Sequence, residues 1–390
     1  VLIEFRVRLQ AACLRQESPM IVFGSPSRYY QGPGCLDGIG EIVRAIGVRA
    51  VVVADAFVLP ILDEQLRRSF SQARLEAQVL PFAGDVTHAA VTALVSEVDA
   101  GPFGKHADVV VAIGGGKAID VGKALCHRLG CAVVTVPTAA ANDAPTSKNY
   151  VVYDENHALV EVAHLPENPR AVLVDTNVIA SAPRALLVAG IGDGITKAFE
   201  AAQCYAVQGR TMFGQEPSLS ALALAEAGYR TIREHAVEGL AVAGTSQSTQ
   251  AFERLVEALF VMGGLGFESG GLSIAHAMTR GLSRVAGSAK AMHGQQVAYG
   301  LLVQLTLEER DDVFMTDLRS FYRTVGLATS LAALGVGVID DAVYRAIAGP
   351  TLAAPHAKNF TRELSEADLV DAMRRVDGGN TQSTIQAGDL

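Results

Sequence analysis

The chain has 390 residues, of which 49% are hydrophobic and 19% charged, which excludes a disordered polyelectrolyte and a small disulfide-stapled module and leaves room for two sizeable cores. Its formal charge of −9, with no Lys/Arg cluster interleaved with aromatics, excludes a face for nucleic acid. Five cysteines, Cys13, Cys35, Cys126, Cys131 and Cys204, make an odd set without a C-x-x-C pair and read as free thiols of a cytoplasmic protein. No apolar run reaches the ~18 uninterrupted residues of a membrane helix, so no membrane partner is expected.

Residues 1–19 scatter Glu4, Arg6, Arg8, Arg15 and Glu17 and lack the layout of a signal peptide. They read as an N-terminal extension with no part in the site, ahead of a first patterned segment over 20–26. From there β-branched runs alternate with helical stretches. Strands are predicted over 50–54, 76–80, 109–113, 132–136 and 171–174, which gives a Rossmann-like α/β domain with a parallel sheet over 20–182. Segments 150–153 and 159–162 predict a hairpin that forms a flap beside the site. After Pro183 the period changes: Phe252, Leu255, Val256, Leu259 and Phe260 recur with helical spacing, and 183–390 reads as an all-α domain. Ligands of open parallel sheets settle at the carboxyl ends of the strands, so the chemistry is expected between the two halves.

The apolar run 109–113 breaks into Gly114, Gly115, Gly116 and Lys117 before a helix that carries Asp120. Glycines there let backbone N–H groups approach a phosphate, and the helix adds its positive end. A Walker A loop is excluded, because Val111 stands five residues before Gly116 and Ala118 follows Lys117. The G-x-G-x-x-G fingerprint also fails, with Ile119 in the third glycine's place. A ligand-free turn suits the string equally well, and the loop alone does not choose. A second loop, 137–147, is dense in small and hydroxyl residues and holds Thr138, Asp143 and Ser147. Asp55 ends another strand, where it suits either a ribose, favouring NAD over NADP, or a turn cap.

Of nine histidines, His276 and His293 stand apart in small, apolar helical surroundings. Each suits a core histidine bonded to backbone, and Asp193 suits a helix start, where a carboxylate is favoured. The other reading is that the three converge on one divalent ion with positions left open, as catalytic zinc requires. Spacing does not decide between these.

Taken together, Gly114–Lys117 with Asp120, Pro137-Thr138 through Asp143-Ala144-Pro145, Val174-Asp175-Thr176, Gly190-Ile191-Gly192-Asp193, the segment from Gly266 to Leu272 with His276, and His293-Gly294 resemble the glycerol dehydrogenase branch of the iron-containing (group III) alcohol dehydrogenase superfamily. The likeness runs from about Phe23 to at least Leu307. It implies a dehydroquinate synthase-like architecture and a homo-oligomer, with NAD in the cleft and Zn2+ held by Asp193, His276 and His293. It further implies NAD contacts from Asp55, Gly116, Lys117, Asp120, Thr138, Ser147 and Tyr153, beside the phosphate loop of Gly114 and Gly115. Asp143 matches a carboxylate on the substrate side, for positioning or proton relay. Iron-dependent members carry a further histidine one turn after the aspartate ligand; Lys197 stands there in this chain, which favours the three-ligand zinc version. The implied reaction is oxidation of glycerol, a small polyol, to dihydroxyacetone, hydride passing from a metal-bound alkoxide to nicotinamide.

The chain departs from the pattern at Ala141, Asn142, Lys148 and Asn149 around the nicotinamide loop. Lys148 either faces solvent or favours a phosphorylated or carboxylated polyol. A dehydroquinate-synthase-like lyase shares the architecture, but its phosphate-binding basic residues are not found here.

Overall fold

The computed structural model describes residues 20–104, 106–155 and 159–378. The expected N-terminal extension, residues 1–19, lies outside them, as do Cys13, Asn156 and His157. Eight strands form among the described residues: β1 (Tyr29–Gly32), β2 (Arg49–Asp55), β3 (Glu76–Phe82), β4 (Val109–Gly114), β5 (Ala132–Pro137), β6 (Asn149–Tyr153), β7 (Leu159–His164) and β8 (Ala171–Asp175). Six of them pair in parallel in the order β1-β8-β5-β4-β2-β3. Helices cover both faces, so β4 is buried along its whole length and reads as an unbroken apolar run. Edge strand β3 instead exposes alternate residues and tolerates Pro81.

All five predicted strands are present. β1, with the sequence Tyr-Tyr-Gln-Gly, was not among them, because four residues at a sheet edge give no periodic signal. The patterned segment at 20–26 contributes only an isolated bridge from Ile21 to Glu216. The hairpin of β6 and β7 is antiparallel, with Asn149 opposite His164.

From β2 the chain passes to β3 on one side, then returns to β4 on the other. The β2/β4 seam is therefore the topological switch point, where a crevice opens beyond the strand ends. Every described regular element after β8 is helical. One core joins Ile191, Phe252, Phe260, Leu301 and Met373 across these helices. No single described helix is long and apolar enough to cross a membrane; the pair Gln250–Gly270 and Ile274–Leu282 qualifies only jointly, bends by 91° and is packed into that core.

Candidate active site

The glycine loop lies at the switch point, between β4 and helix α1 (Gly116–Leu129). Gly114 has φ 145° and a Cβ there would stand 2.6 Å from Ala118 Cβ and 2.8 Å from Asp55 Cβ, so only glycine fits. Gly115, in contrast, faces open space. The two loops meet: the Thr138 N–H donates to the Gly114 carbonyl (3.1 Å), and the Asn142 amide lies 2.8 Å from where a Gly116 Cβ would be. Asp55 takes up the turn-capping role, its Oδ1 accepting from Phe57 N–H at 2.9 Å and Val58 N–H at 3.3 Å. Ser147 is buried, Tyr153 ends β6, and Lys117 pairs with Asp85.

Asp120 accepts from Val151 N–H through Oδ2 (3.1 Å), while its Oδ1 is buried without a hydrogen-bond partner among the described residues. Burial pushes its carboxyl up to about 6. An orphaned acceptor suits a ligand that brings its own donors, as the hydroxyl and amide groups of a dinucleotide do, and the open glycine at the helix start leaves room for its phosphates.

The helical half supplies three further groups. Asp193 lies in the last turn of α2 (Arg184–Gly194), not at a helix start as expected, because the chain continues helically through 195–196 into α3 (Lys197–Ala206). His276 sits on the short α4 (Ile274–Ala277), and His293 opens α5 (His293–Leu307). A Cβ on Gly192 would overlap the Gly294 carbonyl, and one on Gly294 the Ala189 carbonyl. The glycines beside the two ligand candidates thus let α2 and α5 cross at backbone contact, which brings Asp193 and His293 together. Asp193 Oδ1 is 3.1 Å from His276 Nε2 and 4.0 Å from His293 Nε2, and the donor atoms of all three lie within 4.8 Å of one another. Tetrahedral coordination at zinc-like distances needs ligand separations of about 3.3 Å, so small side-chain movements close the set, and one carboxylate with two imidazoles is a donor set for a divalent transition metal.

Lys197 and Glu200 complete the cluster. Lys197 Nζ contacts Asp193 Oδ1 (2.8 Å), Asp143 Oδ2 (3.0 Å) and His276 Nε2 (3.0 Å). Burial alone would raise the Asp193 carboxyl, but the Lys197 ammonium and the His276 ring outweigh it and hold the group well below the carboxylate range. Burial likewise opposes the Lys197 charge and is outweighed by Asp143, Asp193 and Glu200. Asp143 moves the other way: loss of water and the neighbouring Asp193 carboxylate raise it despite Lys197. Glu200, fully buried, accepts the His276 Nδ1 proton at 2.5 Å, and its Oε1 accepts the backbone N–H groups of Ser273 and His276, each at 2.9 Å. Against the effect of burial, the His276 ring brings its carboxyl down to about 2. Sequence reading gave Glu200 no role, although Asp193, Lys197 and Glu200 stand at i, i+4 and i+7, one face of a helical path.

Glu268, within the segment from Gly266 to Leu272, clasps the two halves. It accepts from Lys148 N–H at 2.7 Å and from Asn168 Nδ2 at 2.5 Å, both in the sheet half. The Lys148 ammonium lies 4.3 Å over the Phe213 ring and the side chain is half buried, so it does not simply face solvent.

Over residues 30–183 the chain matches the family described as iron-containing alcohol dehydrogenase. It is 39% identical to the glycerol dehydrogenase of Thermotoga maritima over 317 residues, 81% of this chain and 85% of that protein. With the glycerol dehydrogenase of Escherichia coli it shares 36% over 327 residues, 84% of this chain and 88% of the relative. The crystal structure of glycerol dehydrogenase from Schizosaccharomyces pombe superposes with a TM-score of 0.88 at 30% identity, covering 94% of this chain and 93% of that one. Glycerol dehydrogenases of this family use NAD and a metal. The chain belongs to the iron-containing alcohol dehydrogenase family, in its glycerol dehydrogenase branch, and is an NAD-dependent alcohol dehydrogenase.

Proposed function

We propose that the chain oxidises glycerol, or a related vicinal diol, to the corresponding hydroxyketone with NAD as acceptor. The observation that carries this is the meeting of Asp143, from the sheet half, with the Asp193–His276–His293 set of the helical half at one point of the cleft. In this reading residues 20–182 hold NAD, through Asp55, Gly114, Gly115, Gly116, Lys117, Asp120, Thr138, Ser147 and Tyr153. Residues 183–390 hold zinc through the three donors. When bound, NAD supplies the two-electron acceptor and zinc the Lewis acidity that lets an alcohol proton leave near neutral pH.

The chain's own residues supply orientation. Asp143 accepts from the hydroxyl next to the reacting carbon and so selects a diol over a simple alcohol. Positioning ranks above base catalysis for it, because the Lys197 ammonium already occupies one of its oxygens. The Thr146 hydroxyl donates to the Asp143 and Phe260 carbonyls, both at 3.1 Å, which pins the substrate-side loop to the helical half. Lys148, committed to Phe213, argues for neutral substrates over phosphorylated or carboxylated ones. The free thiols Cys35, Cys126, Cys131 and Cys204 support a cytoplasmic setting, and the family resemblance a homo-oligomer.

NADH absorbance with glycerol, 1,2-propanediol and glycerol phosphates, and zinc analysis of the same sample, test the proposal. The neutral diols are expected to be preferred, with net NADH accumulating. No preference for them sinks the glycerol assignment, and turnover without net NADH points to the lyase reading.

A further inference from the structure

An imidazole nitrogen has one lone pair to give. That of His276 Nε2 lies 3.0 Å from Lys197 Nζ, and the same ammonium is 2.8 Å from Asp193 Oδ1. The third direction of Lys197 Nζ goes to Asp143 Oδ2 at 3.0 Å, and the Phe267 ring lies 5.0 Å away. The side chain is 2% exposed, so water does not compete for these contacts. The amine therefore stands where the lone pairs of Asp193 and His276 converge, which is the ground a divalent ion needs.

We infer that Lys197 is the site's built-in cation, and that a divalent ion binds only by displacing its ammonium. The residue weakens the metal site; it does not complete it as a fourth ligand. This rests on the reading of Asp193, His276 and His293 as ligands. Two features of the chain make a displacement workable. Lys197 follows Asp193 by four residues along one helical path, so the ion pair forms without metal and leaves no naked carboxylate in the core. Asp143 and Phe267 also border the ammonium, so it keeps a counter-charge and a ring face when it yields Asp193 and His276. Two cations within about 3–4 Å repel strongly even at a protein's effective dielectric, so the penalty on ion binding is large.

The test strips the full-length enzyme with a chelator and measures its zinc Kd by competition with a chromophoric chelator, beside Lys197→Met and Lys197→Gln. Both variants are expected to bind zinc at least about 100-fold more tightly than the parent, the scale of one removed like charge. They should also show a larger rise in Tm on zinc addition. Equal or tighter binding by the parent overturns the inference, and weaker binding by the variants identifies Lys197 as a ligand instead. If no form binds zinc, the ligand set itself falls and the inference with it, whereas the NADH assay reads the dehydrogenase proposal independently. Should the variants fail to fold by circular dichroism, the parent decides alone: stoichiometric zinc retained through dialysis against EDTA overturns the displacement.

Discussion

Glu200→Gln isolates one proton. In the parent, Glu200 Oε2 accepts from His276 Nδ1 at 2.5 Å and Oε1 accepts two backbone N–H groups at 2.9 Å. The glutamine carbonyl must keep facing those two N–H groups, since turning it would leave both unsatisfied at about 1–3 kcal/mol each. Its NH2 then faces His276 Nδ1 and forces that nitrogen to accept. The ring proton moves to Nε2, toward Asp193, and the lone pair that would hold the metal is lost. Losing a charge-assisted bond of about 1.5–3 kcal/mol gives a 10- to 100-fold weaker zinc site, the range for removal of a partner behind a metal ligand. Because both backbone N–H groups stay satisfied, Tm of the metal-free protein should fall far less than in Glu200→Ala, where about 3–5 kcal/mol is expected from stripping a buried partner. The assay is a zinc competition titration beside 15N NMR of the His276 ring, which reports the tautomer without metal. An Nδ1-protonated ring in Glu200→Gln, or an unchanged zinc Kd, refutes the reasoning.

Gly294→Ala drives a Cβ into the Ala189 carbonyl, and overpacking of this kind costs about 1–3 kcal/mol. Because α2 and α5 must separate, zinc content should fall while NADH fluorescence binding stays near the parent; intact zinc would show that the crossing does not set the ligand distance. Gly114→Ala places a side chain at φ 145° against Ala118 and Asp55, with strain of about 1–3 kcal/mol. NADH should bind about tenfold more weakly, and unchanged binding would separate the loop from the cofactor. Far from the site, the Arg49 guanidinium, bonded to Asp108 at 2.6 Å, and the N–H groups of Val48 and Arg49 hold the Asp108 carboxyl below its usual range. A lowered folded value means stability present above an unfolded pKa of about 3.9 and lost as pH falls below it. The Tm difference between parent and Asp108→Asn should therefore shrink from pH 7 to pH 3, and a constant difference contradicts that sign.

The sheet was legible where burial on two faces leaves no choice of residue. The interiors of β2, β4 and β8 are unbroken apolar runs rich in Val because helices cover them above and below, and a polar residue there would have no water to face. β1 was not legible, since its four residues owe their conformation to pairing with β8, a contact far away in sequence. Asp193 was misplaced for a related reason. A Gly-x-Gly-Asp-Gly string reads as a loop leading into a helix, but here the glycines are inside one, Gly192 spent on the approach of α2 to α5 and Gly190 on that of the Ala140 carbonyl.

The site divides along the same line. Side chains proposed to meet a ligand directly leave local traces: glycines beside an apolar strand, histidines in small-residue surroundings, a carboxylate flanked by glycine. Groups that act on those side chains leave only a spacing, since Glu200 looks like any acidic residue of an amphipathic helix and Lys197 like its natural neighbour. What distinguishes them is that both are buried, at 0% and 2% exposure, and a charge is kept there only when other charges hold it. Helical spacing from Asp193 was the available signal, because residues four and seven positions on lie over the same point. Lys197 stands where iron-dependent members carry a histidine, and it brings a cation of its own; on the displacement inferred above, that cation limits how tightly the proposed ligands hold a divalent ion.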